Sequence, residues 1–538
     1  MDPYDPAPPV VIIVGAGLAG LTTAIALGVH RLPAILLERR PKSLEHPRAD
    51  GFTPRTVEIF RSLGLRSDVI PETPPMFTVQ RTRVESLTGQ WFEELGWSPQ
   101  EEENALPGSE YSPYRGASTP QDQLELILLE YAAKVGVDVR MHHEFVGLSQ
   151  DGEGVTVIIK DHGASSLYTI RAHYLVAADG HRSAVRETLA IRRKGHGAVN
   201  SIQSVLFRAP EVKPFLQKGT KQFTIDQPSL KAFMIAYQDE RLVLHLPNNR
   251  QYNDDIIREV TLQAIGSAKV NLDIIATSRW EMSAWIADEF SRGRVFLVGD
   301  AAHSLPPNRG GYGANTGIAD GHNLAWKLAH VIRGVSDAQL LATYNAERLP
   351  VAWLRHDQIF ARSDYKTLQQ KPAASGNASS ETVALADGAV EFGQIYRSTG
   401  ILGADDTLPD AQNPERWKGQ PGTRAPHVWL SQNGQVVSTL ELFKGDWVIL
   451  SEDPAWEENV RHVGKKLGLD ALFVHVCQCQ KSALKFGEIY GIPPAGCCLV
   501  RPDGYIAWRL VEHENDPIAS LEEAWKTVSH WKSPLPST

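Results

Sequence analysis

Cysteine is scarce. The 538 residues hold four, Cys477, Cys479, Cys497 and Cys498, all towards the C-terminal end. They make no C-x-x-C and no paired zinc-type spacing, which argues against dithiol redox chemistry and a cysteine-built metal site. Free thiols in a reducing compartment are the ordinary reading. No apolar run approaches the ~20 residues of a membrane span. The net charge is −9 and no basic run exceeds the three residues 192–194, so nucleic acid and anionic membrane are poor partners. The acidic, proline-rich start is unlike a signal peptide, and a cytoplasmic location is expected. Internal repeats, a G-x-S-x-G nucleophile elbow and a metal-ligand cluster are also lacking, so no metal is expected.

The chain is too long for one ordinary domain. A short β-branched run, a glycine turn and an Ala/Leu-rich segment (10–28), followed by a second apolar run (34–40), predict a βαβ unit. Alternating runs between about 200 and 285 predict an antiparallel sheet. A buried parallel-type strand (294–300) follows, then helices over 316–333 and about 338–362. Residues 366–389 lose periodicity and read as a loop or linker; their sequon at Asn377 should go unused. Beyond about 410, the order strand, helix, strand, hairpin, helix predicts a small α/β unit.

Three stretches carry chemistry. In "GAGLAG", Gly15 makes a tight turn, Gly17 lets backbone approach a pyrophosphate and Gly20 lets the helix pack on the strand. The helix N-terminus offers N–H groups to phosphate. Glu38, at the distance expected of a ribose-binding acid, favours free ribose hydroxyls. In "LVAADGHRSAVRETL" (175–189), an apolar strand ends at Asp179–Gly180. In "VGDAAHSLPPNRGGYGANTG" (298–317), Asp300 closes a buried strand where α/β sheets place ligand groups. Gly311 and Gly313 let the chain lie flat beside a planar ligand. Pro307 stiffens the wall, and a helix beginning near Ala314 and Asn315 aims its positive end at that ligand. Together these describe a flavin floor: an acid for the ribityl chain, glycines for the ring and a dipole for its negative charge.

The order "GAGLAG", "ADGHRSAVR", "GDAAHSLPP…GGYGANTG" resembles that of the single-component FAD-dependent aromatic hydroxylases. So do "HPRADGFTPRTVEIFRSLG" (46–64) and "STPQDQLELIL". "PGTRAPHVWL" and "LVRPDGYIAWR" resemble the thioredoxin-like C-terminal domain of the phenol and polyketide hydroxylases in that family. The resemblance covers nearly the whole chain. It implies an α/β fold with a Rossmann-like FAD-binding domain (1–185 and 286–365), an antiparallel substrate sheet (186–285, joined by part of 70–115), a linker (366–409) and a thioredoxin-like domain (410–538). It implies FAD, with NADPH or NADH and O₂ as co-substrates, and hydroxylation of a phenolic or polyketide-type ring through a C4a-hydroperoxide of the flavin. It carries cofactor roles to Arg39, Arg48, Gln121, Asp179 and Gly180. A homodimer is the expected assembly. For phenol activation the candidates are Tyr237, His245 and Arg309. The loop 303–315 is one residue longer than the family pattern, with Asn308 and Arg309 before the double glycine, and Tyr312 stands where Gln or Phe is common. Two alternatives stand beside this reading. One is Baeyer–Villiger oxygenation of a ketone, although the fingerprint F-x-G-x-x-x-H-x-x-x-W is absent. The other is a flavin-binding scaffold without turnover.

Overall fold

Val11–Val14 are four buried β-branched residues, and they form the inner strand of a six-stranded sheet. Tyr174–Ala177 and Ala34–Glu38 flank it, both parallel and fully buried. Val295–Leu297 and Asp138–Met141 extend the sheet in parallel, and Ser291–Arg292 closes it as an antiparallel edge. Continuous apolar strands of this kind need cover on both faces. Helices Leu18–Val29 and Tyr312–Ile332, buried along most of their length, supply part of it. The computed structural model describes residues 11–42, 46–73, 80–95, 110–216, 220–248, 250–307, 311–361, 382–432, 434–477, 485–511 and 516–532. Arg309, Asn308, Asn377 and Cys479 lie outside the described residues.

An eight-stranded sheet stands over the first. Its order is His303–Ser304, Asp273–Ala287, Arg193–Arg208, Arg241–Pro247, Lys231–Ala236, Thr220–Asp226, Gln80–Val84 and Trp91–Leu95. Side chains alternate along each strand. Val205, Phe207, Phe223, Met234, Leu242 and Leu244 point one way, into a core closed by helix Asp254–Ile265. Ile202, Phe233, Ile235, Tyr237, His245 and Trp280 point the other way, into a cavity. Not every pair is antiparallel: Thr220–Asp226 runs parallel to Gln80–Val84. A three-stranded antiparallel sheet, His143–Gln150, Val155–Asp161 and Ser166–Ala172, was not foreseen from the sequence.

The C-terminal unit is a four-stranded sheet ordered Ala471–His475, Trp447–Ser451, Cys498–Val500, Ile506–Arg509, with helices Trp456–Leu467 and Pro517–Val528. This is the α/β arrangement expected of a thioredoxin-like domain. Cys497 and Cys498 are buried and Cys477 is exposed, all as free thiols. The unit is joined to the rest through charge and aromatic rings. Arg501 bonds Glu347 at 2.6 and 2.8 Å and Asp503 at 2.6 Å, all of them buried. Lys327 bonds Glu347 at 2.7 Å. Trp326 meets Trp447 edge to face.

Candidate active site

One cavity of about 2440 Å³ runs between the two large sheets. Its first half is the glycine turn. Gly15 sits at φ +104°, and a Cβ there would stand 2.4 Å from Ala178 O. At Gly20 a Cβ would stand 1.9 Å from Gly15 O, so the third glycine serves packing and does not line the cavity. A Cβ on Gly17 would meet only Glu125 Oε1, at 4.0 Å. Gly17 thus leaves open space over the N-terminus of Leu18–Val29, a helix start without a side-chain cap. Glu38 closes the second strand. Its Oε2 accepts from Ala16 N at 2.9 Å and its Oε1 from Arg40 Nε at 2.9 Å. Burial alone would raise its pKa, but the Arg40 bond and these backbone donors hold it low. Arg40, not Arg39, is the partner of Glu38; Arg39 is exposed and lines the cavity.

Asp179 and Gly180 end the third strand at the cavity wall. Asp179 Oδ2 accepts from Val185 N at 3.1 Å, and its Oδ1 is buried with no hydrogen-bond partner among the described residues. Burial pushes this carboxyl up. Arg48 is exposed at the cavity and makes no hydrogen bond among the described residues. Gln121 lies beside it: its Oε1 accepts from Ala49 N at 3.3 Å and its Nε2 donates to Glu125 Oε1 at 2.8 Å.

The stretch after Val295–Leu297 forms the middle of the cavity. Asp300, Pro307, Gly311, Gly313 and Ala314 line it. The helix starts at Tyr312, earlier than periodicity suggested, because Gly311 at φ +57° makes the turn into it. Gly313 and Ala314 therefore belong to its first turn. Asn315 is a correction: it is buried and absent from the lining. Its Oδ1 accepts from Thr53 N at 3.1 Å and from the Thr56 hydroxyl, so it pins residues 51–56 rather than facing a ligand.

Asp320 was missed in the sequence. It is fully buried, accepts from Gly299 N at 3.0 Å, and pairs with His303 Nε2 and Arg348 Nε at 2.7 Å each. Burial would raise its pKa, but Arg348 and His303 bring it down to about 2. An acid inside the apolar segment "IADGHNLAW" was its signal. A second omission is the chain from Lys221 Nζ to Ser118 Oγ (3.3 Å) and on to Asp50 Oδ2 (3.0 Å) at the cavity wall. Burial lowers Lys221 and raises Asp50. Only the folded sheet brings these residues together.

The far half is the face of the eight-stranded sheet. Tyr237 packs against Leu206 and Val243, and burial, then Asp50, pushes its hydroxyl pKa up. His245 Nδ1 lies 2.8 Å from Ser204 Oγ, which also accepts from Trp280 Nε1 at 2.8 Å. Phe233 stacks parallel to the imidazole and Trp280 stands edge-on to it. Tyr237 and His245 thus share one cavity with the glycine turn.

A family model described as an FAD binding domain matches residues 9–358, and one described as an aromatic-ring hydroxylase C-terminal domain matches 418–530. The chain is 35% identical to 4-methyl-5-nitrocatechol 5-monooxygenase of a Burkholderia species, over 96% of this chain and 97% of that one. It is 36% identical to aklavinone 12-hydroxylase DnrF of Streptomyces peucetius, over 83% of this chain and 92% of that one. Among solved structures, a ternary complex of aklavinone-11 hydroxylase with FAD and aklavinone superposes with a TM-score of 0.86. It is 31% identical and covers 98% of this chain and all of that one.

Proposed function

We propose, for a chain that belongs to the FAD-dependent aromatic-ring hydroxylases, that the cavity between the two large sheets holds the flavin in its glycine half and a phenolic ring against its sheet half. The protein is an FAD-dependent monooxygenase, and the two halves divide that work. FAD, when bound, would relay electrons from the nicotinamide and supply the oxygen activation that no side chain here provides. The residues suit it: open space over Gly17, an unspent acceptor on Asp179 and a helix start facing the cavity are what a dinucleotide needs.

The N–H groups at Gly17 and Leu18 bind the pyrophosphate. Glu38, already oriented by Arg40 and Ala16, takes the ribose hydroxyls. Asp300 takes the ribityl chain. Asp179 Oδ1 accepts from a further hydroxyl of the cofactor or the nicotinamide. Arg48 and Arg39 meet anionic groups at the open side. The positive end of Tyr312–Ile332 faces the ring that gains negative charge on reduction. Ile202, Phe233, Ile235, Trp280 and Met282 exclude water from the reacting atoms. Tyr237 keeps its proton, so its hydroxyl can donate to a substrate oxygen.

In this reading residues 1–185 and 286–365 hold the cofactor, 186–285 with part of 70–115 cover the substrate, and 366–409 lead to 410–538. NADPH or NADH supplies hydride transiently, and the assembly is a homodimer. One observation carries the reading: a single cavity joins the dinucleotide turn to an aromatic-lined sheet. The test is NADPH consumption by the FAD-loaded protein, with and without simple phenols and phenolic polyketides. Consumption stimulated by one compound, with one oxygen atom added to the product, is expected. Protein that cannot be loaded with FAD, or loaded protein that none of these rings stimulates, would overturn it.

A further inference from the structure

His245, Ser204 and Trp280 stand on three strands of the eight-stranded sheet with their side chains in contact. Hydrogen counting along that chain has one solution. Indole Nε1–H only donates, so Ser204 Oγ accepts from Trp280. Ser204 is fully buried, and His245 Nδ1 is the other partner of its hydroxyl. Were Nδ1 to carry a hydrogen, Ser204 would accept from both sides and its own hydrogen would be stranded. The hydroxyl therefore donates to Nδ1, and the imidazole hydrogen sits on Nε2. The only hydrogen bond of His245 among the described residues is the one through Nδ1, and the residue lines the cavity.

We propose that His245 is a specificity residue locked as an N–H donor, selecting a ring carbonyl oxygen on a planar aromatic substrate, and is not a base for a phenolic proton. A carbonyl accepts without donating, which matches a site offering only a hydrogen. Phe233, parallel to the imidazole, and Trp280, perpendicular to it, line the same cavity and offer aromatic faces to a planar ring. Burial, then the neighbouring His46, lowers the pKa of His245 to about 4, so the ring stays neutral in the working range. The inference rests on the reading of this cavity as an aromatic-substrate site.

Two measurements on the FAD-loaded protein test it. With ¹⁵N-labelled histidine, a long-range proton–nitrogen spectrum reports the tautomer without any substrate, and H245Q identifies the signal. A bare Nδ1 and a protonated Nε2, unchanged across neutral pH, are expected, with a mixture of tautomers in S204A. A protonated Nδ1, or titration near neutrality, would overturn the proposal. The second measurement compares 1-hydroxyanthraquinone with 1-hydroxyanthracene, which keeps the hydroxyl and lacks the carbonyls, by their perturbation of the flavin absorbance. A preference for the quinone of up to about tenfold is expected. It should be lost in H245F and kept in H245Q, which restores an N–H. A preference that survives in H245F would overturn the donor role. If neither ring perturbs the flavin, the aromatic-site reading fails and the donor role with it, while the histidine spectrum still decides the tautomer.

Discussion

Gly15 shows how little freedom a single position retains. Its φ of +104° and the 2.4 Å approach of a Cβ to Ala178 O act together. G15A should weaken FAD binding by about tenfold or more, since strain of this kind costs ~1–3 kcal/mol. Flavin fluorescence on titration into the apoprotein reads it, and unchanged affinity would remove the turn from the cofactor site. Tyr237 is a different case. Burial keeps its hydroxyl protonated, so Y237F removes a donor and no negative charge. Turnover should fall by about tenfold with the shape of the pH profile intact; loss of a basic limb would mean that Tyr237 ionises.

Among elements, helix Tyr312–Ile332 organises the most. Asn315 holds residues 51–56 from its first turn, and Asp320 holds Gly299 and His303 from its third. N315A should cost about 1–3 kcal/mol by leaving Thr53 N without its acceptor, read by thermal melting. Asp320 makes stability depend on acid. Its folded pKa of about 2 lies below the ordinary 3.8. Its contribution is therefore complete above pH ~4 and lost as pH falls towards ~2. The difference amounts to on the order of 2 kcal/mol. D320N should lack that part of the acid transition in denaturant melts at successive pH values, beside its own loss of stability; an unaltered pH dependence would refute the linkage.

Across the whole molecule, the C-terminal unit is tied to the cofactor helices by charges that water does not reach. Glu347 lies between Lys327 and Arg501, and both hold its carboxyl far below the usual range against the opposing effect of burial. Removing Arg501 leaves Glu347 with Lys327 alone and takes from Asp503 its ion pair. R501M should lose about 3–5 kcal/mol, and the unfolding midpoint reads it. Loss under 1 kcal/mol would show that the network is solvated. Buried His322 and His330, each with pKa lowered by burial to about 3, add a second acid effect. They stay neutral in the fold while the unfolded chain takes up protons, so stability begins to fall near pH 6.5.

The sequence by itself determined the local parts. Backbone needs are written one residue at a time, so the glycine turn, the acid at the end of the second strand and the Asp300 loop were legible in it. So were the strand–helix order of the C-terminal unit and the alternation of "RLVLHLP". Other features required the fold. Gln80–Val84 pairs in parallel with Thr220–Asp226, a partner far along the chain. Asn315 looked like a ligand contact in a glycine-rich stretch, yet its side chain is used by Thr53 and Thr56, more than 250 positions earlier. The pairing of Ser204, His245 and Trp280 depends on strand register, which no local pattern encodes. The tertiary structure alone decided which polar atoms are already satisfied and which still face the cavity, because hydrogen-bond satisfaction is a property of neighbours in space.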